Sequence, residues 1–291
     1  MNVATQVKTN QAFEIVPLTK HIGAELRGID LRTKPDDATI KAIYQAWLDH
    51  LVIIFPDQKL SQEDLVRVTG YFGEIGDLHR PPKYRPPGQA RLLPGIMMIS
   101  NIRENGEPIG ALPDGEMMFH HDMIHAEVPS KATMLYSVEI PSTGGNTLFA
   151  SGYAAYDALD PAIRNKLEGR KALHHYNYGS VQKGDNKGTE AFAECVHPVF
   201  RTHEDTKKKA VYVNRLMTVK VVDMPEKESD ELLNAVYDHA EKKEFVYEHV
   251  WRLGDLLLWD NRCSSHARTD FPSTERRLML RTTVKGSVRP Y

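Results

Sequence analysis

Apolar and polar positions along the chain change period several times, and each change marks a predicted element. Glu14-Ile15-Val16-Pro17-Leu18 and Ala24-Glu25-Leu26-Arg27-Gly28-Ile29-Asp30 read as two short strands around a turn at Gly23. Between residues 37 and 51, Ile40, Ile43, Tyr44, Trp47, Leu48 and Leu51 recur at helical spacing and form one apolar stripe. Leu51-Val52-Ile53-Ile54-Phe55 then runs without a polar residue up to Pro56, the pattern of a strand buried on both faces. Ser61 with Asp64 three residues on marks a second helix start, with Leu65, Val68 and Phe72 inward and an end near Gly73. Residues 77–95 carry five prolines and read as a long loop. Ile96 to Ser100 is a short strand, and 101–118 a second loop.

The second half continues in short strands. Ala132 to Ile140 is one, and Gly144-Gly145 turns into another at Asn146 to Ala150. Short helices are predicted around 153–159 and 161–167, then a polar, mobile segment over 176–194. Val199 to Thr202 and Ala210 to Val213 pair around Lys207-Lys208-Lys209, a run read as solvated. A helix over 226–241 turns Leu232, Leu233, Val236, Tyr237 and Ala240 inward. Leu256 to Trp259 is a strand, His266 follows in a loop, and Arg277 to Val284 is the last strand. Many short strands with few helices favour a mainly β fold, a sandwich or barrel with flanking helices. No repeat or domain boundary divides residues 1–291, so a single domain is expected, with 1–11 loose.

Composition narrows the class. A net charge of −2 gives no electrostatic case for nucleic acid or an anionic membrane. Cys195 and Cys263 form no disulfide framework and suit a reducing cytoplasm. The N-terminal stretch has no apolar signal core, and no run approaches the ~20 residues of a membrane span.

Candidate chemistry centres on Phe119-His120-His121-Asp122. In an extended strand, residues two apart share a face, so His120 and Asp122 can reach one ion while His121 points away. With a second histidine, for which His266 is the candidate, this becomes the two-histidine, one-carboxylate set of non-haem Fe(II) oxygenases. A zinc hydrolase can use the same set. His125 is a weaker candidate ligand. In the last strand Arg277 and Arg281 share a face, which meets either water or an anion in a pocket. Met97, Met98, Met117 and Met118 flank the second loop and can fill core or line a substrate pocket.

Four stretches in order complete the picture: Phe119-His120-His121-Asp122, Gly144-Gly145-Asn146-Thr147-Leu148-Phe149, Trp259-Asp260-Asn261-Arg262-Cys263-Ser264-Ser265-His266 and Arg276-Arg277-Leu278-Met279-Leu280-Arg281. With them the chain resembles the taurine/aryloxyalkanoate branch of the Fe(II)- and 2-oxoglutarate-dependent dioxygenases, from about residue 14 to 287. The resemblance implies a double-stranded β-helix, or jelly roll. It implies Fe(II) held by His120, Asp122 and His266, which are then the catalytic centre, with 2-oxoglutarate and O2 as cosubstrates. It implies that Arg277 and Thr147 bind the distal carboxylate of 2-oxoglutarate. Arg281, nearer the iron, would pair with the anionic group of a small organic substrate or with the inner carboxylate of 2-oxoglutarate, and His79 in the proline-rich loop would bind that substrate. An aryloxyalkanoate-type carboxylate is the leading expectation, a sulfonate or sulfate ester the alternative. A homo-oligomer without membrane or nucleic-acid partners is expected. Three departures stand out: Phe119 replaces the usual tryptophan, His121 replaces a small hydroxyl residue, and Ala267-Arg268 stands where Arg then Ala is usual.

Overall fold

The computed structural model describes residues 13–77, 85–111, 115–177, 181–182 and 192–291. Two antiparallel-rich sheets carry the candidate residues. The larger has seven strands in the order Glu14–Pro17, Ala24–Arg27, Val52–Phe55, Leu256–Asp260, Ala132–Glu139, Leu278–Val284 and Met97–Ser100. Only the pairing of Ala24–Arg27 with Val52–Phe55 is parallel. The smaller sheet orders Val246–His249, Thr147–Ser151, Ser264–Arg268 and Met117–His120.

The predicted double burial of the Val52–Phe55 run is realised side chain by side chain. Ile53 and Phe55 join Trp47, Leu65 and Val68 in the core beneath the first two helices. Val52 and Ile54 turn the other way, into a core that joins Leu135, Leu257, Trp259 and Met279 of the larger sheet to Phe149 of the smaller. The larger sheet is thus a layer covered on both faces, and the second core fixes its distance from the smaller sheet. The helices are bounded by the caps the sequence announced. Asp36 accepts from the backbone N–H of Thr39 to start Asp37–His50, and Ser61 and Asp64 form a reciprocal capping box on Gln62–Thr69. That second helix is shorter than predicted: Phe72 lies beyond it, yet is buried in the same core.

Several expectations are corrected. His266 does not lie in a loop. It occupies the middle of the strand Ser264–Arg268, held between Thr147–Ser151 and Met117–His120. Ser-Ser-His-Ala-Arg has too few apolar residues to read as a strand, but two neighbouring strands supply its hydrogen bonds. The ends of the segment expected to be mobile are also ordered, because Lys171–Asn177 pairs with Phe192–Pro198. The strands Thr218–Val221 and Val246–His249 have no apolar run to announce them and were not predicted. The loop over 101–118 holds a small hairpin, Arg103–Glu104 with Glu107–Pro108. The segment 1–11 lies outside the described residues.

Candidate metal centre

His120 ends the strand Met117–His120 and stands directly across from His266, their ring centroids 4.1 Å apart. Asp122 is not in that strand, as the spacing argument assumed. It sits in the turn that follows, where Met123 takes φ 61°, a backbone conformation that costs a residue with a side chain. The turn nevertheless brings Asp122 to the same side as His120. One donor atom from each of His120, Asp122 and His266 lies within 4.8 Å of the others, and all three residues are buried. His121 points away, as predicted. It packs on Tyr212 at 4.8 Å and meets Asn214 Nδ2 at 3.2 Å.

The protonation of the three residues suits a divalent metal. His120 Nδ1 lies 2.9 Å from the carbonyl oxygen of Met118, which can only accept. The ring therefore carries its hydrogen on Nδ1 and keeps the Nε2 lone pair for the cavity. Burial pushes the His120 and His266 imidazoles down, His266 to about 3 with the neighbouring His120 adding to the effect. Burial would raise the Asp122 carboxyl. Arg281, His266 and His120 outweigh it together with the Thr133 hydroxyl, which donates to Asp122 Oδ2 at 2.6 Å, so the group stays ionised well below the usual carboxylate range. Two neutral imidazoles and one carboxylate, all deprotonated and converging, are the donor set a divalent metal needs.

These residues line a cavity of about 190 Å³ together with Thr147, Arg277 and Arg281. The two arginines therefore face a pocket rather than water. Arg281 Nη1 is 3.6 Å from Asp122 Oδ1. Arg277 is 2% exposed and has no carboxylate partner among the described residues. Burial, and then the charge of Arg268, pulls its guanidinium down to about 9, which still leaves it protonated at neutral pH. Its backbone N–H donates to Asn101 Oδ1 at 2.9 Å. A Cβ on Gly145 (φ 66°) would lie 3.4 Å from its Nε, so the glycine lets the guanidinium lie against the turn. Thr147 Oγ1 accepts from Trp251 Nε1 at 3.1 Å, which keeps the hydroxyl hydrogen available to donate.

His125 lines the cavity but stacks on Tyr176 at 5.1 Å and is not among the three converging groups. Met97 and Met117 line the cavity, whereas Met98 and Met118 fill apolar clusters beside it. His79 lies outside the described residues. Sequence reasoning missed Thr133, Trp251 and Trp259 as neighbours of the site. Trp251 meets Thr147 from 104 residues away, and for Thr133 and Trp259 the contact depends on how the strands pack rather than on any local pattern. It also left open where Arg268 points; the residue lines the cavity, opposite Thr147 in the strand register.

Known proteins resemble the chain along nearly its whole length. A family profile described as "Taurine catabolism dioxygenase TauD, TfdA family" matches residues 14–283. The (S)-phenoxypropionate/alpha-ketoglutarate-dioxygenase of Sphingobium herbicidovorans is 28% identical over 286 residues, covering 94% of this chain and 96% of that protein. Pentalenolactone F synthase of Streptomyces avermitilis is 31% identical over 282 residues, covering 90% of each. Among solved structures, AAD-2 in complex with Mn(II) and N-oxalylglycine superposes with a TM-score of 0.79 at 27% identity, over 96% of this chain and 98% of that one.

Proposed function

Because the chain belongs to the taurine catabolism dioxygenase TauD, TfdA family, we propose that it is an Fe(II)- and 2-oxoglutarate-dependent dioxygenase hydroxylating a small organic anion, an aryloxyalkanoate-type carboxylate in the first instance. Members of the family use Fe(II), 2-oxoglutarate and O2. When bound, that set supplies the oxidation: 2-oxoglutarate becomes succinate and CO2, and one oxygen atom enters a substrate C–H bond.

The chain's own residues do the holding. His120, Asp122 and His266 are the iron ligands. Each already has the protonation state that binding requires, so the metal displaces no proton from them at neutral pH. Arg277 takes the distal carboxylate of 2-oxoglutarate through its planar fork, and Thr147 donates its hydroxyl to the same end. Arg281, beside Asp122, takes the anionic group of the substrate. Met97, Ile99, Met117 and Leu135 give the cavity an apolar wall for the body of that substrate, and methionine adapts to varied shapes. The observation that carries this reading is Arg277: a buried, protonated guanidinium without an acidic partner among the described residues, in the cavity of a two-histidine, one-carboxylate set, calls for an anionic ligand. Zinc hydrolysis on the same ligands does not require such a cation.

A sulfonate or sulfate ester would satisfy Arg281 equally well, and the apolar wall favours the carboxylate with an aromatic or alkyl body. We also read the two facing sheets as a double-stranded β-helix and the chain as one dioxygenase domain. The two free cysteines, one of them buried, suit the cytoplasm. No helix among the described residues is long and apolar enough to cross a membrane. A homo-oligomer remains part of this reading, open to light scattering.

Anaerobic addition of Fe(II) and then 2-oxoglutarate to the metal-free protein tests the proposal. A visible charge-transfer band that Arg277→Ala weakens at the same 2-oxoglutarate concentration is expected. A substrate screen read by succinate then follows. No band, with tight Zn(II) binding instead, would move the hydrolase reading to the front.

A further inference from the structure

Resting on the metal reading above, we propose that Thr133, Asn261 and Trp259 form a one-way hydrogen-bond chain that orients two of the metal ligands at once. The chain begins at the Trp259 indole, whose Nε1–H donates to Asn261 Oδ1 at 2.9 Å. Asn261 Nδ2 donates to Thr133 Oγ1 at 2.9 Å, and Thr133 Oγ1 donates to Asp122 Oδ2 at 2.6 Å. Thr133, Asn261 and Trp259 are all at least 98% buried, so water does not compete for these groups.

The direction of the chain follows from chemistry. An indole nitrogen only donates, so the amide must present its oxygen to Trp259 and its NH2 to Thr133. A hydroxyl has one hydrogen. Having accepted from Asn261, it spends that hydrogen on Asp122. The carboxylate in turn can only accept, so both ends of the chain agree on one sense. Asp122 itself lies in a turn, outside the sheet, and nothing in the ladder fixes its carboxylate plane. The Thr133 hydroxyl, on a central strand of the larger sheet, does so instead. At its other end the same indole packs against the ring of His266, centroids 4.8 Å apart. Two adjacent strands of the larger sheet, bridged by Asn261 in the turn after one of them, therefore set the carboxylate by hydrogen bonding and the second imidazole by contact. Thr133, Asn261 and Trp259 act as positioning residues, through Asp122 and His266.

Metal binding by the full-length, metal-free protein tests this, read by anaerobic calorimetry with Fe(II) and by the visible bands of bound Co(II). Thr133→Val keeps the shape and removes the hydroxyl. It is expected to weaken Fe(II) binding roughly 10–100-fold, the usual effect of losing a partner that orients a ligand, and to shift the Co(II) bands. Thr133→Ser, which keeps the hydroxyl, is expected to restore both. A folded Thr133→Val protein with wild-type affinity and wild-type Co(II) bands overturns the inference. Should Thr133→Val fail to fold because the Asn261 NH2 is left unpaired, Thr133→Val/Asn261→Leu/Trp259→Phe removes every polar group of the hydrogen-bond chain, leaves no buried donor stranded and carries the same expectations. Wild-type protein that binds neither metal overturns the proposed function itself, and this inference with it.

Discussion

Among the described residues the protein has two buried clusters of metal-ligand residue types, and of these two one is open to a metal. His120, Asp122 and His266 form the first; His203, Asp260 and Cys263 form the second, its donor atoms also within 4.8 Å of one another. In the second, His203 Nδ1 accepts from the backbone N–H groups of Asp205 and Thr206, at 3.1 and 3.2 Å. Its hydrogen is therefore on Nε2, which donates to Asp260 Oδ2 at 3.0 Å. Arg262 takes both oxygens of Asp260, Nε to Oδ1 at 2.9 Å and Nη2 to Oδ2 at 2.7 Å. Burial pushes the Cys263 thiol well above its ordinary range, so it keeps its proton. Each polar group of the closed cluster is committed within the protein. In the open cluster His120 keeps a lone pair for the cavity, and Asp122 and His266 line the same space. Proximity of ligand types is thus no guide to a metal site; what matters is where the hydrogens and lone pairs are already spent.

Breaking each cluster should have opposite consequences. Asp122→Ala is expected to abolish succinate formation, a loss above the roughly 100-fold seen when a mere supporting residue is removed. Its fold should survive, which circular dichroism checks. Asp260→Asn should do the reverse. It takes from Arg262 the carboxylate charge that its Nε and Nη2 hold, leaving the buried guanidinium Asp205 at 2.8 Å and Glu204 at 3.4 Å, and costs about 1.5–3 kcal/mol of stability, seen as a melting temperature lower by roughly 5 °C, while Fe(II) affinity of the folded fraction stays put. A stable Asp260→Asn protein that has lost its metal would put the closed cluster in the active centre after all.

Smaller effects sharpen the contrast. Arg277→Ala removes a charged hydrogen-bonding anchor worth about 1.5–3 kcal/mol, so the 2-oxoglutarate requirement should rise by roughly 10–100-fold. Steady-state kinetics with varied 2-oxoglutarate measure this, and an unchanged requirement would refute the anchoring role. The smallest signal lies in pH. His266 is held neutral down to about pH 3 in the folded, metal-free protein, against an ordinary value of 6.5. Between these values the unfolded chain binds a proton that the folded one refuses, so stability falls as pH falls through this window. His266→Gln should flatten that slope by up to one proton, roughly 1.4 kcal/mol per pH unit, in urea titrations at pH 6 and pH 4. The carboxylates of the two clusters, Asp122 and Asp260, contribute with the same sign, but theirs is present above 3.8 and lost only below that, so the His266 imidazole separates from them on the pH axis.

Much of the molecule was legible locally. The 52–55 run announced a strand covered on both faces because every side chain in it is apolar. Ser61 and Asp64 announced their capping box because that contact spans three residues. His120 and Asp122, and the arginines Arg277 and Arg281, could be paired because short-range spacing limits where their side chains go.

Other features were out of reach of the sequence for a common reason: each depends on a partner remote in the chain. His266 looked like a loop residue, because its strand is made by the hydrogen bonds of two neighbours rather than by its own composition. The same stretch, Trp259 to His266, holds members of both clusters, and nothing in its letters says that Asp260 is consumed by Arg262 and His203 while His266 stays available. Residue types and spacing determined by themselves which chemistry the chain could carry. The tertiary structure alone decided which groups carry it, because protonation, burial and hydrogen-bond commitment are set by neighbours that only folding brings together.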